Sequence, residues 1–217
     1  MIAALVGLSL IMAVVVGWLV RQTINVQPWL EQHQASAATM PSSPAPTGLG
    51  VFLTVATSFF TLFISAYFMR REGADWRPVA LPTLLWFNTL ALAAASLFFQ
   101  RASSAALEMK VRPLKSGLLS GGIFSWVFLA GQILAWRQLN AEGYSLTANP
   151  SNAFFYVLTA LHGLHLLGGL WVWARSMIKL QLGLAPGALS LSVRLCAVYW
   201  HFLLAVWLVL FAVLLMT

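Results

Sequence analysis

The chain has 217 residues, 60% of them hydrophobic and only 8% charged, a balance that a water-soluble domain of this size could not hide inside one core. Its net charge of +7 comes from basic residues scattered through short connections between apolar runs, which excludes the sustained basic patch of a nucleic-acid-binding surface. A single cysteine, Cys196, excludes an internal disulfide; at the start of an apolar run it reads as a small packed side chain without thiol chemistry.

Six runs are long enough to cross about 30 Å of hydrocarbon at about 1.5 Å per residue. They cover residues 2–20, 49–69, 79–100, 117–136, 153–174 and 195–216. Alternating strand patterns are absent, and only helices and closed barrels satisfy the backbone in lipid, so the sequence predicts an all-α integral membrane protein. The first run lacks a basic leading segment and exceeds the roughly 7–15 residues of a secretory h-region, so residues 1–21 are read as a retained helix. Residues 22–48 are rich in Ala, Ser and Pro; Pro41, Pro44 and Pro46 are expected to block regular helix, leaving a cytoplasmic tether. Residues 49–217 then form a bundle of five helices, to which the N-terminal helix is tethered.

Within the bundle, Pro82 is expected in the first turn of its span and Pro113 just ahead of the next, where a missing N–H is tolerated. Small residues, Gly121, Gly122 and Gly131 in the fourth span and Ala160, Gly163, Gly168 and Gly169 in the fifth, predict close helix approach. The tryptophans, including Trp18, Trp76, Trp86, Trp136, Trp171, Trp173 and Trp207, fall mainly near span ends and read as an aromatic belt at the headgroups.

Basic residues divide unevenly between the two sides. Arg21, Arg101, Lys110, Arg112, Lys115, Arg175, Lys179 and Arg194 share one side, against Arg70, Arg71, Arg77 and Arg137 on the other. The positive-inside rule makes the first set cytoplasmic and, with six spans, places both termini outside.

Histidine is costly in lipid, so His162, His165 and His201, all in charge-free spans, must face protein, headgroups or a cofactor. His162 and His165 lie three apart on one side of a helix. Counted from the cytoplasmic end, His165 lies about 13 Å deep, His162 about 18 Å and His201 about 9 Å, so His165 and His201 could meet. Hydrogen bonds to a backbone carbonyl, a hydroxyl or Gln132 on a neighbouring helix are the simplest reading, with a headgroup or a water cleft next. A single haem held between His165 and His201 is geometrically possible, whereas two haems would need four histidines and the remaining one, His33, lies in the tether. Metal catalysis is poorly supplied, since no carboxylate or thiolate lies beside the pair and Cys196 is off the face of His201. All five acids, Glu31, Glu72, Asp75, Glu108 and Glu142, lie in connections; with no internal repeat either, a transporter or proton relay is disfavoured.

Two segments carry a resemblance: Phe155-Tyr-Val-Leu-Thr159-Ala-Leu-His162-Gly163-Leu-His165, and Tyr199-Trp200-His201-Phe202 followed by Val206-Trp207. Together they resemble subunit III of the haem–copper terminal oxidases, over residues 49–216. Ser58-Phe-Phe with Ala66-Tyr67, Leu81-Pro82 with Asn88-Thr89, and Gln132 with Trp136 are similar as well. The resemblance implies a non-redox subunit of a cytochrome c or quinol oxidase in a bacterial cytoplasmic membrane, packed against subunits I and II. Haem and copper would belong to those partners, with none in this chain, and phospholipid would be bound in a cleft. His162, His165, His201, Trp200, Tyr199, Thr159, Gly163 and Gln132 would fix packing or hold lipid, with no catalytic residue among them. Three positions depart from the family pattern: Ala56, Ala135 and Leu204 stand where carboxylates often occur, which weakens any proton-feeding role. Rival readings are a haem b anchor of a quinone-linked dehydrogenase and a subunit-III-like partner of a nitric oxide reductase.

Overall fold

The computed structural model describes residues 45–216. The expected first helix and most of the expected tether lie outside the described residues. Five helices follow one another: α1 (Ala45–Arg71), α2 (Leu84–Leu107), α3 (Val111–Ala141), α4 (Pro150–Gln181) and α5 (Pro186–Leu215). Each is long and apolar enough to cross a membrane. The described residues divide into two units between Ala56 and Thr57, inside α1.

The helix ends differ from the hydropathy bounds for identifiable reasons. Pro46, expected to block helix, sits in the first turn of α1, where its missing N–H has no intrahelical role. Pro82 instead precedes its helix: Leu85 N donates to its carbonyl at 3.1 Å in a lead-in turn, and α2 begins at Leu84. Pro113 lies in the first turn of α3. Asn149 caps α4 by accepting from Ser151 N at 3.1 Å, and Pro150 follows it at the first helical position. At 31, 32 and 30 residues, α3, α4 and α5 outrun their predicted spans. They are about 45–48 Å long and so project beyond the hydrocarbon core.

Tight reversals join these helices in pairs. Gly143 (φ +88°) ends α3 and Gly183 (φ +85°) ends α4, each in the left-handed conformation that lets two further amides reach back to the last carbonyls. Met109 (φ 57°) does the same after α2, with Lys110 N donating to Ala105 O at 3.0 Å. These connections gather Arg101, Lys110, Arg112, Lys115, Arg175, Lys179 and Arg194 toward one end of the bundle, opposite Arg70, Arg71, Arg77 and Arg137.

Within residues 57–217, α2 packs on α3 and α5, and α4 packs on the same two, so four helices close a ring. Residues 57–71 of α1 lie against α4, where the Phe60 ring is 5.2 Å from His165 and the Tyr67 ring 5.5 Å from Phe154. In lipid, apolar burial gives helices little reason to associate, so shape and hydrogen bonds must hold the ring together. Four glycines supply the shape. A Cβ at Gly121 would strike the Phe99 ring, at Gly122 the Trp173 indole, at Gly131 the Asn88 amide, and at Gly169 the rings of Tyr199 and Trp200. The close-approach expectation fails at three positions. Gly163 has only Leu129 nearby, at 3.7 Å, Gly168 meets nothing within 4 Å among the described residues, and Ala160 is exposed.

Candidate functional site

The ring is filled along its axis by two tryptophans of α5. Trp200 is fully buried, with its ring 4.2 Å from Phe99 on α2, its Nε1 donating to Ser125 Oγ on α3 at 2.8 Å, and its edge against Gly169 on α4. Two turns further, Trp207 is equally buried. Its Nε1 donates to Thr89 Oγ1 on α2 at 2.9 Å, and its ring lies 4.9 Å from Phe128 on α3 and 5.3 Å from His162 on α4. Each indole therefore touches all three other helices of the ring. Trp207 therefore does not belong to an interfacial belt, whereas Trp86 and Trp171 are exposed.

A common device receives the indole N–H groups. Ser125 accepts from Trp200 and donates to Gly121 O at 2.8 Å; Thr89 accepts from Trp207 and donates to Leu85 O at 2.8 Å. Thr159 accepts from Trp136 Nε1 at 3.0 Å and donates to Phe155 O at 2.7 Å. A helical hydroxyl disposes of its own proton on the carbonyl one turn back, which leaves a lone pair for the neighbouring helix. Trp173 dispenses with the intermediary and donates directly to Leu118 O at 2.7 Å. Sequence reasoning named Thr159 but missed Ser125 as a site residue, although its place one turn after Gly121 on a small-residue face was a usable signal.

The three membrane histidines occupy different surroundings. His165 Nδ1 lies 2.7 Å from Leu161 O on its own helix, and Tyr199 Oη donates to the His165 carbonyl at 2.9 Å, tying α5 to α4. His201 is half-buried between two side chains of α2, with Nδ1 2.5 Å from Ser96 Oγ and Nε2 3.0 Å from Gln100 Oε1. An amide oxygen can only accept, so Nε2 carries the proton and Nδ1 accepts from the serine. With both His201 nitrogens engaged, the axial pair of His165 and His201 is ill suited to haem iron. Among the described residues no group of three or more His, Cys, Asp or Glu could hold a metal ion.

His162 differs from both. It is 0% exposed, ringed by Phe60, Phe128 and Trp207, and among the described residues neither ring nitrogen has a hydrogen-bond partner. Gln132, expected to serve a histidine, accepts instead from Asn88 Nδ2 at 3.4 Å. Two of the positions without a carboxylate, Ala56 and Ala135, are buried, and Leu204 is partly exposed. An ionised carboxylate at a buried one would need a partner brought with it.

The profile of the cytochrome c oxidase subunit III family matches residues 2–216. Among curated relatives, a probable cytochrome c oxidase subunit 3 of Nocardia farcinica is 30% identical over 172 residues, covering 76% of this chain and 84% of that protein. A probable cytochrome c oxidase subunit 3 of Mycobacterium tuberculosis is 28% identical over 171 residues, with 76% and 84% covered. The cytochrome c oxidase subunit 3 of Thermostichus vulcanus is 29% identical over 178 residues, with 77% and 84% covered. With its two motifs interlocked through Trp200 and Gly169 and the family profile matching nearly end to end, this chain belongs to the cytochrome c oxidase subunit III family.

Proposed function

We propose that the chain works as the non-redox subunit III of a proton-pumping respiratory terminal oxidase in a bacterial cytoplasmic membrane, seated against subunits I and II. The observation that carries this reading is the meeting of the two motifs in one packing unit: Tyr199 and Trp200 of α5 close on His165 and Gly169 of α4. What such a unit offers is rigidity. Its buried indole N–H groups are used in crossing between helices, and its acids lie in connections, so it supports a neighbouring redox subunit without carrying protons itself.

Trp200, Tyr199, Thr159, Gln132 and His162 then fix helix packing, since all five are buried among protein groups. Phospholipid would be held nearer the surface. The basic end, with Arg101 beside Gln100 and His201, suits an anionic headgroup, and the exposed apolar side chains of α2 and α3, such as Phe87, Leu90, Ile123 and Trp126, suit acyl chains or a partner's helices. The basic end faces the cytoplasm under the positive-inside rule, and a sixth helix ahead of α1 would leave both termini outside.

Native mass spectrometry of the tagged chain, extracted in mild detergent, tests this reading. The expected result is recovery at equal stoichiometry with a large subunit bearing haem and copper, with phospholipid retained and no haem on this chain after release. Recovery with a haem of its own beside a flavin or iron–sulfur subunit would overturn it.

A further inference from the structure

We infer that an ordered water molecule sits inside the ring between α3 and α4, bridging Gln132 to His162. Two buried polar groups on these neighbouring helices have hydrogen bonds left to make among the described residues. Gln132 is 3% exposed; its amide oxygen accepts from Asn88, while its Nε2 donates to nothing among the described residues. His162 is 0% exposed, and both its ring nitrogens are unpartnered among the described residues.

Helix geometry brings the two to one level. The antiparallel pair is fixed on one side of Gln132 by the bond from Trp136 to Thr159, and on the other by Phe128, whose ring lies 5.7 Å from that of His162. Gln132 is one turn from each of Trp136 and Phe128, which sets it level with the turn of α4 that carries His162. The two side chains do not bond directly, since neither has a hydrogen-bond partner at these atoms.

Their chemistry is complementary through a single water and not through an ion. A neutral imidazole offers one bare nitrogen and one N–H, and an amide offers two N–H donors. Water accepts from Gln132 Nε2 and donates to the bare nitrogen of His162, which gives a buried polar site the two or more partners that such a water requires. The remaining imidazole N–H is left among aromatic rings, of which Phe128 lies at 79° to the imidazole. Thr159, Tyr156 and Asn152 continue as polar positions along the same face of α4 toward its N-terminal end, where Asn152 Oδ1 is another buried atom without a partner.

The inference rests on packing alone and is independent of which partner subunits the chain has. A map of the full chain in its native membrane complex, at a resolution that reveals ordered waters, decides it. The expected result is a solvent peak within hydrogen-bond distance of Gln132 Nε2 and of one His162 nitrogen; a direct bond between the two residues, or apolar atoms filling the gap, overturns it. As a second measurement, Gln132→Leu, His162→Phe and the double variant are compared by thermal midpoint of the complex. The double variant should lose less than the sum of the singles, because each single strands the other's group; strict additivity would count against the bridge.

Discussion

Trp200 and Trp207 stand two turns apart on α5 and each touches the same three helices, yet the layers around them are built differently. Around Trp200 the contacts close: the Phe99 ring lies 4.2 Å away, tilted against it, Ser125 takes its N–H, and Gly169 lets its edge approach α4. Around Trp207 the same indole-to-hydroxyl bond is made, but the layer also contains His162, for which the described residues supply rings and no hydrogen bond. The first layer is a finished apolar joint with one polar pin. The second is a polar layer that calls for solvent, so damage to the two should differ.

The largest effect is expected from truncating the indoles. Trp200→Ala should cost about 3–5 kcal/mol, because the cavity it leaves is walled by Phe99 and stays dry. Trp207→Ala should fall toward the lower end of that range, since polar neighbours allow water into the space. Thermal unfolding of the purified complex, followed by retention of this chain on a native gel, measures both; equal losses would erase the contrast between the layers. Removing only the acceptors comes next. Ser125→Ala and Thr89→Val each leave an indole N–H without its partner, worth about 1–3 kcal/mol, and the Thr89 variant should lose less for the same reason of access to water. A larger loss at Thr89 than at Ser125 in the same melting assay would reverse the assignment.

The smallest effect is expected outside the ring, at the exposed pair of Arg70 and Asp75, whose oxygens and guanidinium meet at 2.5 and 2.8 Å. The hydrogen bond from Arg70 holds the Asp75 carboxyl below its usual range. A carboxyl lowered on folding contributes stability above its unfolded value of 3.8, and that contribution is lost as pH falls through the lowered folded value. Both groups are solvated and screened, so Asp75→Asn should leave the melting midpoint near neutral pH unchanged. A clear drop there would mean that the loop bears on the bundle.

How much of this was legible in the sequence depended on which physical signal each residue carried. Hydropathy found the five described helices because lipid demands long apolar runs, but it could not see where they end in water. Asn149 followed by Pro150 carries capping chemistry that the hydropathy bounds, which open this span at 153, passed over, whereas the left-handed Met109 after α2 has no such mark, since glycine is the residue expected there. Within the site, the neighbourhood of His162, Gly169 and Trp200 was readable from small and polar residues in costly places. The separate fates of the histidines were not. Which of them meets a serine, a carbonyl or only rings is decided by helix rotation in the assembled ring, and spacing along one helix carries no information about its neighbours. Trp207 was misplaced for the same reason, as position along a span does not reveal which way an indole faces.

The two indoles that fill the ring both come from its last helix. Trp207 bonds to Thr89, 118 positions earlier, and His201 to Ser96, 105 positions earlier. During synthesis α2, α3 and α4 therefore enter the membrane with an open centre, their serine and threonine acceptors in place before any indole arrives. Closure waits for α5, which makes its insertion the step that fills the centre of the ring.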